Sequence, residues 1–270
     1  MKEIPSRVIQ QRRRLANKSL RSKSLRSKCI AFGIPLFILI AGLFLTFLPG
    51  EEGKIILSNS LTAEWPSEVF PDKKQGDYHY LRDEQEEALV YYVNAWNKME
   101  KVKKKSARHV AILANNVAGA TKAIHGVERS VEWYDKAVTA DPNHFESLFN
   151  YGNTLANLGK RVLAQGHYQK ALQIRPNSVS VLKVLASVIR HDASNGKDSE
   201  GLLYGKMLLL KAFEIDPTDS EIMASLGLQY MSLHDIPKAV DYLQMAADLG
   251  HKEAKTQLVY LLKAANRVNI

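Results

Sequence analysis

Residues 145–178, FESLFNYGNTLANLGKRVLAQGHYQKALQIRPNS, decide the fold, because they spell two short helices with a reason to pack on each other. Leu148, Tyr151, Leu155 and Leu158 recur at three- and four-residue steps and so share one face of a first helix. Gly159 ends that helix. A second apolar stripe, Val162, Leu163, Tyr168, Ala171, Leu172 and Ile174, runs up to Pro176, which cannot continue a helix. Gly152 and Ala164 fall where the two helices are expected to cross, and their small size lets the backbones approach. The unit is a helical hairpin.

The hairpin recurs. In residues 220–253, Met223, Leu226, Gly227, Tyr230, Ala239, Leu243 and Ala246 repeat the offsets of Leu148, Tyr151, Gly152, Leu155, Ala164, Tyr168 and Ala171 without a gap, and Gly250-His251 replaces the closing proline. Residues 179–219 carry Leu182, Leu185, Ala186 and Ile189, then Leu209, Ala212 and Asp216-Pro217, with seven extra residues held in the polar stretch HDASNGKDSEG. Residues 111–144 keep Tyr134, Ala137 and Asp141-Pro142 behind a degenerate first helix, AILANNVAGATKA. This pattern resembles the tetratricopeptide repeat (TPR), a helix–turn–helix unit of about 34 residues. The resemblance implies an all-α solenoid, a right-handed superhelix of stacked hairpins over 111–253 whose first helices line a concave groove.

Outside the repeats, charge and hydropathy divide the chain. The formal net charge is +9, and residues 1–28 hold ten cations against Glu3 alone, so the rest is balanced and an argument for nucleic acid from overall basicity fails. Residues 29–50, CIAFGIPLFILIAGLFLTFLPG, contain 22 residues without a charge, enough for a helix of roughly 33 Å. Transmembrane anchor, cleaved signal peptide and buried helix compete. The length, and the absence of small residues before a cut, favour a single transmembrane helix. Ten cations before it and Glu51-Glu52 after it place the tail in the cytoplasm and the repeats outside, with the tail touching anionic lipid and a specific arm for RNA or a cytoplasmic partner left as the alternative. Residues 51–80, broken by Pro66, Pro71 and Gly76, read as a linker, with docking of Ile55–Leu57 or Trp65 left open.

Residues 81–110 read as an amino-terminal helix that caps the repeats through Leu89, Val93, Trp96 and Met99 or Val102. Its acidic start and Lys101, Lys103, Lys104 and Lys105 at its end suit the helix dipole, which makes the lysines a helix terminus before a binding patch. Residues 254–270 form the closing helix, with Leu258, Leu261 and Leu262 on one stripe.

No chemistry stands out. Cys29 is the single cysteine, so disulfides within the chain and cysteine-ligated metals are excluded. None of the eight histidines pairs with another at helical spacing, and no phosphate loop, G-x-S-x-G or H-E-x-x-H motif occurs. The chain reads as a non-enzyme without cofactor or metal.

The family's groove positions, carried onto this sequence, point to a peptide-binding surface at Phe149, Asn150, Asn153, Asn157, Lys183, Ser187, Arg190 and Leu228, with Glu146, Ser180, Val184, Glu221, Ala224, Ser225 and Met231 beside them. Asparagines bond a peptide backbone through both amide ends, and Lys183 and Arg190 suit a carboxylate. TPR proteins that grip chaperone tails resemble one another in a two-carboxylate clamp of Lys, Asn and Arg. Its places here hold Asn115, Gly119, Asn150, Ser180 and Val184, and only Asn150 fits.

The expectation is a membrane-anchored scaffold that binds proteins or peptides during assembly of an envelope complex of secretion, pilus or cytochrome-maturation type. An organelle import receptor with cytosolic repeats and an accessory domain of a membrane enzyme complex are the alternatives. The one N-x-S/T sequon, Asn17-Lys18-Ser19, lies in the tail, which leans towards a periplasm.

Overall fold

The computed structural model describes the backbone of residues 64–196 and 199–268, all within the compact unit Thr62–Ile270. The basic tail 1–28, the apolar segment 29–50 and residues 51–63 lie outside the described residues. Among the described residues no helix is long and apolar enough to cross a membrane.

Eleven helices follow one another among these residues: α1 (Phe70–Leu81), α2 (Gln85–Lys101), α3 (Ala107–His125), α4 (Val127–Ala140), α5 (Phe145–Asn157), α6 (Arg161–Ile174), α7 (Val179–Gly196), α8 (Ser199–Ile215), α9 (Ser220–Ser232), α10 (Ile236–Asp248) and α11 (Lys252–Val268). They pack as the hairpins α1/α2, α3/α4, α5/α6, α7/α8 and α9/α10, each against the next, with α11 closing the carboxyl end. Contacts concentrate between sequence neighbours, as in a solenoid.

One set of small residues makes the hairpins close. Starting from Gly152, residues 12, 16 and 19 positions on are Ala164, Tyr168 and Ala171, all buried. A Cβ on Gly152 would lie 2.6 Å from Tyr168 Cε1, and one on Gly227 would lie 2.6 Å from Leu243 Cγ. The glycine is the hole into which the second helix places its large side chain.

The same offsets start at Gly76, giving Ala88, Tyr92 and Ala95, and a Cβ there would sit 2.5 Å from Tyr92 Cδ1. The stretch expected as a linker over 51–80 therefore gives way to a helix from Phe70, and α2 is the second helix of a repeat rather than a separate cap. Pro71, read as an interruption, stands in the first turn of α1, where a missing N–H costs nothing. The turns agree. Asp83, Gly159 and His234 share one repeat position and all have left-handed φ, at 62°, 73° and 59°. In each turn the next residue's N–H reaches back five residues, Glu84 to His79, Lys160 to Leu155 and Asp235 to Tyr230.

The interior runs as two connected clusters. Val69, Ala88, Tyr92, Ala95, Met99, Leu113, Val117 and Ala120 form the first, and a longer one extends from Ala118 to Leu261. Trp133 packs against both, edge-on to Trp96 at 5.1 Å. Two expected stripes shift. Val162, Leu163 and Ile174 are exposed, because Ala164, Tyr168 and Ala171 set the inner face of α6. In α2 the buried line is Ala88, Tyr92, Ala95 and Met99, with Leu89, Val93 and Trp96 half-buried beside it. Leu258 and Leu261 are buried in α11, whereas Leu262 is exposed. The extra residues of 179–219 mostly lengthen α7 and α8 to 18 and 17 residues, against 13 and 14 in α5 and α6.

Candidate functional site

A groove of about 760 Å³ is lined by the first helices of three successive hairpins, with Asp77, Tyr80 and Leu81 from α1, Asn115, Asn116, Gly119 and Lys122 from α3, and Asn150 from α5. Tyr92 and Tyr134 reach it from the second helices. Its floor is a ladder of side-chain amides. Asn150 Nδ2 donates to Asn115 Oδ1 at 3.0 Å, Asn115 Nδ2 to Asn116 Oδ1 at 3.5 Å, and Asn116 Nδ2 to Asp77 Oδ1 at 3.4 Å. The ladder spans α5, α3 and α1, and every rung donates towards the carboxylate.

Asp77 is held from its other side. The Tyr92 hydroxyl donates to Oδ1 at 3.0 Å, and Lys73 pairs closely with Oδ2. Burial foremost, then the Asp77 charge, pushes the Tyr92 hydroxyl far above the usual phenol range, so it stays a donor. Tyr134 is pushed up to about 12, chiefly by burial and secondarily by Tyr80. The groove is thus neutral amide and phenol along its length, with a paired carboxylate at one end and the Lys122 ammonium on its wall. Each amide retains a second N–H or lone pair, the set of donors and acceptors an extended backbone needs.

The residues expected from sequence fare differently. Asn150 lines the groove, next to Asn115. Phe149 and Asn153 turn towards α6, where Asn153 Oδ1 accepts from the Tyr168 hydroxyl at 2.8 Å and the Phe149 ring lies 6.3 Å from that of Tyr168. Asn157 and Ser187 are exposed, and Leu228 is half-buried. Lys183 is committed within the chain, to Asp219 Oδ2 at 3.0 Å and to Glu221, and is not offered to a ligand carboxylate. Burial alone would pull its pKa down, but the hydrogen bonds it donates to Glu221 and Asp219 outweigh that and hold it up. Arg190 is half-buried, and burial lowers its pKa. Glu146 pairs with Arg175 at 2.7 Å, Ala224 is buried, and Met231 packs on the core.

Sequence reasoning missed Asp77 and Tyr80 because the first hairpin was not recognised, and Asn116 and Lys122 because no groove positions beyond the clamp places Asn115 and Gly119 were carried onto the degenerate first helix of 111–144. With that hairpin in place the five clamp positions become Lys73, Asp77, Asn116, Glu146 and Asn150. Asp77 and Glu146 stand at two of them, already paired with Lys73 and Arg175, so these places offer no unpaired cation to a ligand presenting two carboxylates.

Residues 133–165, from within α4 through α5 into the start of α6, match the tetratricopeptide repeat family model. Sperm-associated antigen 1 of Mus musculus is 26% identical over 143 residues, which cover 53% of this chain and only 15% of that protein. Among solved structures, MamA from residue 41 onward of Desulfovibrio magneticus RS-1 superposes with a TM-score of 0.57 at 19% identity, covering 69% of this chain and 97% of that one. YrrB, described as a TPR protein with an unusual peptide-binding site, gives 0.58 at 17% identity, covering 73% and 92%. At these identities the likeness is one of fold. The described chain is a stack of hairpins with the fold of a tetratricopeptide-repeat solenoid, and it carries a recognisable tetratricopeptide repeat at 133–165.

Proposed function

We propose that this chain is a membrane-anchored scaffold whose α1/α3/α5 groove binds an extended or helical segment of a partner protein, outside the membrane and during assembly of an envelope complex. The observation that carries the groove assignment is the ladder Asn150–Asn115–Asn116–Asp77, which sets backbone-binding amides along two consecutive first helices, α3 and α5, and ends them on a carboxylate of α1. Its mostly neutral chemistry favours main-chain recognition over a charged tag. Support for the anchor comes from residues 29–50 and the ten cations before them. Holding the groove at a surface raises its effective concentration towards other membrane-bound proteins.

Site-specific photocrosslinking in the full chain tests the groove. Probes at Tyr80 and Asn150 are expected to give the same partner adduct, and a probe at the exposed Gln169 of α6 none. Equal adducts from Gln169, or adducts at Tyr80 that persist undiminished when Asn115 and Asn116 are both changed to Leu, refute the groove assignment. Reporter fusions at both termini read the orientation independently.

A further inference from the structure

The turn between the first two hairpins is a cationic surface. Lys101, Lys103, Lys104, Lys105 and Arg108 fall within eight residues that contain no acidic residue, and all five are exposed. The helix-dipole reading covers only part of this group. Helix α2 ends at Lys101, and its C-cap Val102 is extended, so Lys98 and Lys101 alone lie in the last turn. Lys98 is paired with Asp72 at 2.6 Å. Among the described residues none of Lys101, Lys103, Lys104, Lys105 and Arg108 forms an ion pair. Helix α3 begins just past the turn at Ala107, with no acidic residue in its first turn, which adds potential of the same sign.

This turn lies where the chain comes into the fold. The Trp65 ring stacks on His109 at 4.2 Å, beside Arg108, and Lys73 covers the indole at 5.5 Å. Only 14 residues, 51–64, separate Trp65 from the end of the apolar segment. Fully extended they reach at most about 50 Å. A chain anchored through 29–50 therefore leaves the lysine turn within reach of the bilayer, on the tethered side of Trp65.

We infer that the Lys101–Arg108 turn is a second membrane contact, which binds the phosphate-bearing headgroups of anionic lipids in the bilayer that anchors the chain. The inference rests on the anchoring proposed above and is independent of what the groove binds. Its consequence is orientation: tether and turn together fix which side of the solenoid faces the lipid.

The full chain with Cys29→Ser and Ala107→Cys, labelled with an environment-sensitive dye, tests it in vesicles carrying a headgroup quencher. In phosphatidylcholine with about one-third phosphatidylglycerol the dye is expected to be quenched, and in phosphatidylcholine alone it is not. High salt, which shortens electrostatic reach, should abolish the quenching. Lys103→Gln, Lys104→Gln and Lys105→Gln together should weaken the contact about a hundredfold, each lysine contributing roughly fivefold, while the matching Arg triple retains it. Equal quenching in neutral vesicles, or an unchanged Gln triple, overturns the inference. So does displacement by inorganic phosphate or by RNA in preference to lipid, which assigns the turn to a free phosphate or to nucleic acid. Flotation of the same chain with neutral vesicles at high salt reads anchoring separately. A chain that fails to float there sinks the anchor, and the difference in quenching at position 107 between the unchanged chain and the Gln triple on anionic vesicles at low salt still decides whether the turn binds lipid.

Discussion

At the scale of single residues, glycines with opposite duties give opposite expectations. Gly152 and Gly227 face a ring and a leucine at distances no real Cβ tolerates, whereas Gly166, mid-way along α6, has nothing within 4 Å. Gly152→Ala and Gly227→Ala should each cost about 1–3 kcal/mol by overpacking the crossing. Gly166→Ala should stabilise by about 0.5–1 kcal/mol through helix propensity. Urea midpoints of the three variants check both signs, and a destabilised Gly166→Ala would contradict the exposed placement of that face.

His144 supplies a pH dependence. Its buried Nδ1 accepts from the Ser147 N–H at 3.3 Å and from the Ser147 hydroxyl at 2.6 Å, capping α5, while Nε2 faces Glu146 at 3.3 Å. Burial lowers its pKa most strongly, with Arg108 and Arg175 adding to the effect and Glu146 and Asp141 opposing it. Burial lowers that of His167 too. The unfolded chain therefore takes up these protons first. Their contribution to stability is complete above the ordinary histidine range, is lost as pH falls through about 6.5, and levels off below the folded-state values. His144→Asn keeps a cap and removes the titration, so its stability should fall less between pH values of about 7.5 and 5.5 than that of the unchanged chain.

Among elements, α1 is the one whose removal discriminates. Read as a linker it is dispensable. As the first helix of a hairpin it covers Tyr92, Ala88 and Ala95 and supplies Asp77 to the groove. Deleting residues 64–82 from the full chain should expose that cluster and lower the melting temperature by several degrees or more. An unchanged melting curve would return α1 to the role of linker. The element was hidden in the sequence for a physical reason. Gly76 is the buried residue of α1, so its partner is recognised by fit and not by an apolar stripe. The signal that finds it is the spacing Gly76, Ala88, Tyr92, Ala95, the same as Gly152, Ala164, Tyr168, Ala171. By contrast, α5, α6, α9 and α10 were legible outright, because glycine, alanine and a large inner residue recur there at fixed offsets behind a regular first-helix stripe.

Over the whole molecule, what the sequence revealed was periodic and what it concealed was pairwise. Stacked hairpins follow from spacing alone. The candidate site does not, because Lys183 meets partners 36 and 38 residues away, and Asn150 meets Asn115 across a helix boundary. Asn150 was identified in advance because it lies on a first helix whose register was correct. Asp77 and Tyr80 were missed as a consequence of starting the repeats one hairpin too late, and Asn116 and Lys122 because the first helix of 111–144 lacks a regular stripe. The wedged indole at Trp65 also decides how the solenoid takes load. Any pull arriving along the amino-terminal chain meets the Trp65–His109 stack before it reaches α1, so those two rings are the first contact such a force has to part.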